Sequence, residues 1–211
     1  MADWAEIGVV AGDDGQRRCG WCTTAPDYVA YHDLEWGRPV VDDVRLYEKL
    51  CLEGFQSGLS WLTILRKREG FRAAFAGFKP EAVAAFGPGD VERLMSDAGI
   101  VRHRGKIEAA VANARATLAA QERHGSLAAL VWSFEPPRKR TAPKWLGDLA
   151  AVTPESTALA KALHRIGFRF VGPTTAYAAM QSLGLVNDHL AGCFVRDACE
   201  ADRSGVEPPS L

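Results

Sequence analysis

Four residues of this chain have the types and spacing of metal ligands. Cys19 and His32 lie near the start of the sequence, and His189 and Cys193 lie near its end. Two thiolates and two imidazoles suit zinc and fill its tetrahedral shell, which leaves no position for water. On a helix, the four-residue spacing of His189 and Cys193 would place both side chains on one face. The pattern predicts one structural zinc ion that joins the N-terminal loop to the last helix.

The cysteines and histidines allow other interpretations. Cys22 follows Cys19 by three positions, and this pair could supply both thiolates or act in redox chemistry. The four residues could also be ordinary buried side chains, or three of them could hold a catalytic metal with water, as in a metal-dependent hydrolase or deaminase. Cys51 is expected in the core because its neighbours are apolar, and Cys199 is assigned no role.

A single acid, Glu53, lies in the mostly apolar run "LEGFQSGLSW", residues 52–61, which ends in Trp61. Flat rings stack on a flat heterocycle and attract it more strongly when it is cationic, and a carboxylate accepts hydrogen bonds from its amino group. The combination favours an electron-poor, cationic base as the ligand. Alternatively, the rings belong to the core and Glu53 faces solvent or caps a helix. The aromatic residues concerned are Trp21, Tyr28, Tyr31, Trp36 and Trp61.

A possible phosphate-binding turn follows in "IGFRFVGPTTAYAAM", residues 166–180. Its glycines join two helical patterns, and Pro173 stands where the second helix would begin. Backbone amides at such a helix start can bind a phosphate oxygen without reading the base. The stretch therefore predicts a sequence-independent contact to a nucleic-acid phosphate at Gly172, Pro173 and Thr174, although an ordinary corner between helices would look the same.

The charge distribution is compatible with a nucleic-acid partner despite a net charge of -1. Residues 1–15 and 197–211 together hold eight acids and one base, which leaves 24 basic and 18 acidic residues in the central body. The bases cluster at residues 66–72, 102–106 and 138–144, and again at 164–169. Such clusters either contact phosphates or are solvated helix faces.

Apolar residues at spacings of three and four predict an all-α protein with short connections. The helical patterns lie at residues 44–52, 60–75, 80–86, 91–100, 106–125, 156–167 and 174–184. Gly125, Gly167 and Gly184 each follow a helical pattern and are expected to end a helix. We expect one unit of two closely packed helical lobes at residues 17–196, with poorly ordered extensions at 1–16 and 197–211. Residues 135–153, which include three prolines, are expected to form the one long loop.

The composition, with 211 residues of which 47% are apolar, suits a globular protein that needs no disulfides. The sequence has neither the start of a signal peptide nor an apolar run of about 20 residues that could span a membrane. Five cysteines are also an odd number for a disulfide framework. These features predict a cytoplasmic protein.

Several motifs resemble the bacterial DNA-3-methyladenine glycosylase I family, in uninterrupted order over residues 17–194. They are "RCGW", "YHDLEWG", "LEGFQSGLSW", "DAGIVRHRGKI", "GFRFVGPTTAYAAMQSLGLVNDH" and the cysteine at 193. The resemblance implies a helix-hairpin-helix fold and a structural zinc held by Cys19, His32, His189 and Cys193, with Cys22 outside the site.

The resemblance also implies a base pocket at Glu53, Tyr31 and Trp61. It places Trp21, Tyr28 and Trp36 around that pocket, and it assigns Ser57, Gly58 and Leu59 to the gap left by the extracted nucleotide. In the wider superfamily a catalytic aspartate follows the hairpin. Asn187 aligns with it here, and Asp188 is one residue away.

The implied function is removal of 3-methyladenine from double-stranded DNA. Methylation makes the base cationic, so the flipped-out base can leave as a neutral molecule without a strong acid. Glu53 would act in recognition and electrostatic stabilisation while water attacks the sugar, and the products would be free 3-methyladenine and an abasic site. The enzyme is expected to be a monomer without a membrane partner. A DNA-binding module without catalytic activity is the alternative.

Overall fold

The computed structural model describes residues 4–210, so Met1, Ala2, Asp3 and Leu211 of the predicted extensions lie outside the described residues. The helices are α1 (Pro26–Leu34), α2 (Asp43–Gln56), α3 (Trp61–Ala74), α4 (Pro80–Ala84), α5 (Pro88–Ser96), α6 (Arg104–His124), α7 (Leu127–Trp132), α8 (Pro154–Arg165), α9 (Pro173–Ser182) and α10 (Arg196–Gly205). Short 3-10 helices lie at Trp4–Glu6, Gly20–Cys22, Ala76–Phe78 and Leu146–Asp148. Two strands, β1 (Val9–Ala11) and β2 (Arg17–Cys19), complete the described elements.

The protein is mostly helical, and the prediction of an all-α fold is wrong for its N-terminal segment. Strands β1 and β2 pair in antiparallel fashion, with Val9 opposite Cys19 and Ala11 opposite Arg17. Strands of three residues are too short to show the alternation by which a strand is recognised in a sequence. The pairing matters for the site because it places Cys19 at a defined position.

Helices α2 and α3 are joined by a tight turn that brings the end of one to the start of the other. The Asp42 side chain caps α2 by accepting from the backbone N–H of Arg45 at 2.9 Å. Ser60 caps α3 by accepting from the N–H of Thr63 at 3.2 Å. In the turn between the two helices, Gly58 has φ of +82°, a left-handed conformation that favours glycine.

The loop between α8 and α9 is held against the end of α2. Asn113 of α6 donates to the carbonyl of Arg169 at 3.2 Å and accepts from its N–H at 2.7 Å. A Cβ at position 54 would lie 3.2 Å from the carbonyl oxygen of Phe170, so glycine permits this close approach. The hairpin therefore lies beside the C-terminal end of α2.

The glycine stops predicted from the sequence are confirmed. Gly125, Gly167 and Gly184 have φ of +79°, +105° and +76°, and each lies just beyond a helix. A left-handed residue ends a helix at low cost only when it is glycine.

The two terminal segments have more structure than expected. The prediction of a poorly ordered tail is wrong for the part that forms α10, where Arg203 is 2% exposed and donates to the carbonyls of Gly184 and Leu185 at 2.8 and 2.9 Å. The N-terminal extension contains β1, and Ile7 accepts from the N–H of Leu146 at 2.9 Å. The order of both segments could not be recognised from their charged composition, because their contacts are made by backbone groups and one buried guanidinium.

One continuous apolar core is formed by residues that lie between Tyr31 and Val186 in the sequence. A smaller core includes Cys19 and Cys193. Trp21 packs against both cores. Within residues 4–210, no helix combines the length and apolarity needed to cross a membrane.

Candidate base-binding cavity and metal centre

The four predicted ligands converge on one buried point, although they come from opposite ends of the chain. Ligand atoms of Cys19, His32, His189 and Cys193 all lie within 4.8 Å of one another. His32 Nε2 is 3.2 Å from His189 Nδ1, and Cys193 Sγ is 3.5 and 3.6 Å from these two nitrogens. A tetrahedral zinc with ordinary bond lengths would separate its ligand atoms by about 3.3–3.8 Å. The donor set and its spacing therefore fit a zinc ion.

Neighbouring groups orient both imidazoles toward this point. His32 Nδ1 lies 2.8 Å from a carboxylate oxygen of Asp33, and His189 Nε2 lies 3.0 Å from the carbonyl oxygen of Trp36. If each of these nitrogens carries the proton, the other nitrogen is free to ligate a metal. Arg18 in turn binds the Asp33 carboxylate through Nε and Nη2.

The three cysteine thiols near this point differ in their hydrogen bonds. A hydrogen bond from Cys19, together with contacts to both histidines, outweighs burial and lowers the pKa of the Cys193 thiol. Cys19 Sγ also accepts from the N–H of Leu190 at 3.2 Å. Cys22 instead donates to the Cys19 carbonyl at 3.1 Å and lies outside the cluster.

One expectation about the ligands is wrong in its local geometry. His189 and Cys193 do not lie on a helix, but in a turn before α10, where the Cys193 N–H donates to the Leu190 carbonyl at 3.0 Å and Gly192 has φ of +85°. The turn reverses the chain, so both side chains reach one point without helical periodicity. Cys51 is buried in α2 as predicted, and Cys199 is buried against the loop after α1.

The predicted aromatic residues and Glu53 line a common cavity of about 340 Å³. Helix α1 supplies two tyrosines, α2 supplies the acid near its C-terminal end, and α3 begins with the tryptophan. The cavity is lined by Trp21, Tyr28, Tyr31, Trp36, Glu53 and Trp61. The rings of Tyr31 and Trp61 are tilted by 42°, with centroids 5.4 Å apart.

Glu53 neither faces solvent nor caps a helix, because it is buried in an ion pair. Its Oε1 lies 3.0 Å from the ammonium of Lys49, one turn earlier on α2. Lys49 Nζ also donates to the Tyr31 hydroxyl at 2.7 Å and lies 3.4 Å from the centre of the Trp61 ring. Among the described residues, the buried indole N–H of Trp61 has no hydrogen-bond partner.

Burial shifts the titration of the groups around this acid. Burial and the nearby charge of Glu53 raise the pKa of Tyr31 well above its usual value, so the phenol stays neutral. Burial, Cys22 and Glu53 raise the pKa of Tyr28 to about 12. Burial also lowers the pKa of Lys49, and the Glu53 carboxylate opposes this effect.

Trp21 connects the cavity to the metal cluster. Its ring packs edge-on against those of Tyr28, His32 and Trp36, with centroids 4.9, 5.3 and 5.1 Å apart. Because His32 is also a candidate ligand, the two sites share one wall.

The residues predicted to contact DNA lie on the surface near the cavity. Ser57, Gly58 and Leu59 are exposed in the turn between α2 and α3, and the carbonyl of Ser57 accepts from Lys106 Nζ at 2.6 Å. Gly172, Pro173 and Thr174 form the start of α9, where the proline and threonine are exposed. Phe170 precedes Gly172 by two residues, approaches Gly54 of α2 closely, and has its ring 6.2 Å from that of His103.

The basic clusters divide into paired and exposed residues. In residues 66–72, Arg66 pairs with Asp27 at 2.7 Å and Arg72 pairs with Glu48 at 2.8 Å, so this cluster is largely neutralised. Arg165 and Arg169 flank the hairpin, are exposed, and form no ion pair within the described part of the chain.

Asn187 and Asp188 are both engaged in structural contacts. The Asn187 side chain donates to the Arg196 carbonyl at 3.0 Å and to Glu200 at 2.9 Å, which fixes it against α10. Asp188 accepts from the Tyr177 hydroxyl at 2.6 Å and from Gln181 at 2.9 Å. Gln181 lines the cavity, whereas Asp188 does not, so the amide of Gln181 connects Asp188 to the cavity wall.

Sequence reasoning missed Lys49, which pairs with Glu53 behind the cavity, and several residues of the cavity wall itself. The position of Lys49 four residues before Glu53 on a predicted helix was the available signal, because such pairs face each other. The remaining wall residues, which had no local signal, are Gln56, Leu146, Leu149, Ala178 and Gln181.

Comparisons with known proteins agree with this arrangement. The sequence profile of the methyladenine glycosylase family matches residues 21–196. DNA-3-methyladenine glycosylase 1 of Escherichia coli is 51% identical over 178 residues, which are 84% of this chain and 95% of the relative. DNA-3-methyladenine glycosylase of Haemophilus influenzae is 46% identical over 83% of this chain and 96% of its own length.

A solved structure of 3-methyladenine DNA glycosylase I from Staphylococcus aureus, which concerns its recognition of 3-methyladenine, superposes with a TM-score of 0.81 at 38% identity. The match covers 85% of this chain and 96% of that one. The family predicted from the sequence motifs is thus confirmed, and the chain belongs to the methyladenine glycosylase family.

Proposed function

We propose that this protein extracts 3-methyladenine from double-stranded DNA into the cavity at Glu53 and hydrolyses its bond to deoxyribose. The observation that carries the proposal is the meeting of Tyr31, Trp61 and the buried Glu53 carboxylate in one cavity of about 340 Å³. That volume lies in the range of pockets for small molecules. The relatives from Escherichia coli and Haemophilus influenzae carry this activity in their names.

The wall of the cavity suits a cationic purine. The rings of Tyr31 and Trp61 offer apolar faces, and the attraction of a tryptophan face for a cation is worth about 0.5–2 kcal/mol. Glu53 can accept from the amino group of the base and balance its charge. The buried Trp61 N–H lacks a partner among the described residues, which costs about 1–3 kcal/mol in the fold itself.

The reaction needs little acid catalysis. The C1′–N9 bond breaks with its electron pair left on the base, which departs as neutral 3-methyladenine, and the water that adds to C1′ releases a proton. Unmodified adenine would leave as an anion, so a site without a strong acid discriminates against it. This agrees with Asn187, whose amide is bound to α10 and offers no carboxylate. An intact abasic site remains.

Two exposed segments would hold the DNA. Backbone N–H groups at the start of α9, at Gly172, Pro173 and Thr174, can receive a phosphate, although proline itself contributes none. Arg165 and Arg169 add positive charge beside this turn. The turn at Ser57, Gly58 and Leu59 lies at the end of the helix that carries Glu53, where it can fill the gap left by the flipped nucleotide.

We also propose that the Cys/His cluster holds one structural zinc ion. Four protein ligands complete a tetrahedral shell, so the ion would stabilise the fold and supply no catalytic water. It would join β2 and α1 to the turn before α10 and thereby hold Trp21 in the cavity wall. The oxygen ligand of a catalytic site would be visible by X-ray absorption spectroscopy at the zinc edge, and its presence would contradict this role.

The protein is further proposed to act as a monomer in the cytoplasm. Its five cysteines are all free, which suits a reducing compartment. Sedimentation analysis with and without DNA measures the state of assembly, and a stable dimer would contradict the first part of this proposal.

Chromatography of free bases released from methylated duplex DNA tests the function directly. We expect 3-methyladenine in the supernatant and alkali-labile abasic sites in the DNA. Binding without base release would instead support a DNA-binding module. Release that requires exchangeable metal would favour a metal-dependent hydrolase.

A further inference from the structure

A second cavity of about 180 Å³ adjoins the base cavity and shares two of its lining residues. Tyr31 and Trp61 line both cavities, whereas Glu53 lines only the base cavity and Lys49 lines only the second one. The ion pair between Lys49 and Glu53, at 3.0 Å, therefore connects the two cavities. A positive charge thus lies directly behind the residues that would receive a cationic base.

Lys49 contacts all three residues proposed to bind the base. Its side chain is only 12% exposed, and its Nζ reaches the carboxylate of Glu53, the hydroxyl of Tyr31 at 2.7 Å and the ring of Trp61 at 3.4 Å. A cation this close to a ring already uses the attraction that Trp61 would offer to a bound cation. It also partly neutralises Glu53 before any substrate arrives.

We infer that the Lys49 ammonium is a positioning residue that weakens binding of the cationic nucleotide and favours movement of its positive charge onto deoxyribose. The inference deepens the proposed function and rests on it. In the bound nucleotide the positive charge is on the base, near the ammonium. When the C1′–N9 bond breaks, the electron pair stays on the base and neutralises it, while the positive charge moves to C1′ and is then taken up by water.

Repulsion between Lys49 and the base is therefore larger in the bound substrate than in the transition state. Only an interaction that differs between these two states changes the rate of the chemical step. Removal of the charge should strengthen substrate binding and slow bond cleavage. A purely structural Lys49 would have the opposite effect on binding, because its removal would loosen Tyr31 and Glu53.

Binding of two free ligands measures the charge effect without catalysis. 3,9-Dimethyladeninium is cationic, whereas 3-methyladenine is neutral at pH 8, and both can be followed by quenching of tryptophan fluorescence. We expect Lys49→Met to raise the affinity for the cation by about tenfold relative to the neutral base, whereas Lys49→Arg keeps the wild-type ratio. An unchanged ratio in Lys49→Met would overturn the inference.

Kinetics give a second measure. With methylated duplex DNA, Lys49→Met should lower both KM and kcat by similar factors, which is the signature of lost ground-state repulsion. Arg45→Met is the matched control, because Arg45 lies one turn earlier on α2, lines the second cavity and is about half exposed. A raised KM with unchanged kcat would indicate a structural role and contradict the inference.

The pH dependence of wild-type binding covers the case in which Lys49→Met does not fold. Burial lowers the pKa of Lys49 below its ordinary 10.5, so Lys49 loses its proton as the pH rises through that lowered pKa, and the preference for the cation should then increase. A flat preference would overturn the inference. The charged and titratable groups around Lys49 are Arg45, Glu48 and Glu53 on α2, Tyr31 and Glu35 at α1, Arg68 and Arg72 on α3, and Arg38 in the loop after α1.

Failure of the inference and failure of the proposed function give different results. If wild-type protein releases 3-methyladenine from DNA but the ligand ratio does not respond to Lys49, only the role of Lys49 is wrong. If the wild-type protein binds neither ligand and releases no base, the proposed function itself is wrong.

Discussion

Trp21 packs edge-on against His32 of the Cys/His cluster, with ring centroids 5.3 Å apart, and it also lines the base cavity. The tryptophan follows Cys19 by two residues, in the short 3-10 helix after β2. Ligand geometry at the cluster is thereby coupled to the shape of the cavity. A structural ion at this place would act on base binding through packing.

Replacement of Cys193 by serine should remove the zinc and destabilise the protein. Loss of about 3 kcal/mol or more would lower Tm by roughly 6–12 °C for a chain of this size. Metal content by mass spectrometry and thermal unfolding measure both effects. Cys199→Ser is the control, because Cys199 is also buried near the cluster but is not one of its four residues. A stable, metal-free and fully active Cys193→Ser variant would contradict the structural zinc.

Replacement of Glu53 by glutamine should lower 3-methyladenine excision by about a hundredfold, because a positioned electrostatic group is lost from the site. Affinity for undamaged duplex should stay within about twofold, since Glu53 is buried and undamaged DNA does not place a cation beside it. Single-turnover excision and duplex binding are the two measurements. Glu108→Gln, an exposed acid on α6, should change neither. Equal losses in both assays would remove Glu53 from the pocket.

Replacement of Leu59 by alanine should lower kcat/KM on duplex DNA by about tenfold, because a smaller side chain fills the vacated stack less well. Affinity for free 3-methyladenine should not change, since Leu59 is 43% exposed and lies outside the cavity. Leu34→Ala, at a leucine that is 74% exposed, is the control. Equal activity of the Leu59 variant and wild type on duplex would show that this turn does not fill the gap.

Replacement of Arg169 by glutamine tests the hairpin as a phosphate contact. Loss of one phosphate contact should reduce the slope of log affinity against log salt by about 0.9, with similar effects on all DNA sequences. Fluorescence anisotropy at several salt concentrations measures the slope. Arg123→Gln, at an exposed arginine near the end of α6, should leave it unchanged. An identical slope in both variants would place the DNA elsewhere.

Glu35 should contribute to stability in a manner that depends on pH. Burial opposes its ionisation, but the paired Arg68 guanidinium outweighs burial and lowers its pKa below the ordinary 4.5. The stabilisation is therefore present above pH 4.5 and is lost as the pH falls through the lowered pKa. Glu35→Gln should cost at most about 1 kcal/mol at neutral pH, because the pair is partly exposed.

Urea unfolding between pH 3 and 7 measures this contribution. The difference between wild type and Glu35→Gln should shrink below pH 4.5. A difference that grows as the pH falls would contradict the assigned pairing.

Local patterns were sufficient for most helices of this protein. Apolar spacing and glycine stops predicted α2, α3, α4, α5, α6, α8 and α9, because a helix forms from contacts between residues three or four apart. The same reasoning missed α10, whose composition is charged. Its order depends on Arg203, which is buried against carbonyls near residue 184. That contact joins distant parts of the chain and has no local pattern.

The residue types of the two sites could also be identified from the sequence. Cys19, His32, His189 and Cys193 do meet, and Tyr31, Trp61 and Glu53 do line one cavity. Two cysteines with two histidines suit a metal ion, and aromatic rings with an acid suit a cationic base, wherever these residues lie in the chain. The family motifs then selected Cys19 over Cys22.

Only the tertiary structure decided how these residues are arranged. It placed His189 and Cys193 on a turn, brought Gln181 into the cavity wall, and set Lys49 against the ring of Trp61. The contacts of Gln181 and Lys49 depend on packing between separate helices. The buried charge of Lys49 is acceptable because Glu53 of the same helix and the rings of Tyr31 and Trp61 surround it. Spacing along the chain carries no information about which residue of another helix will contact a given side chain.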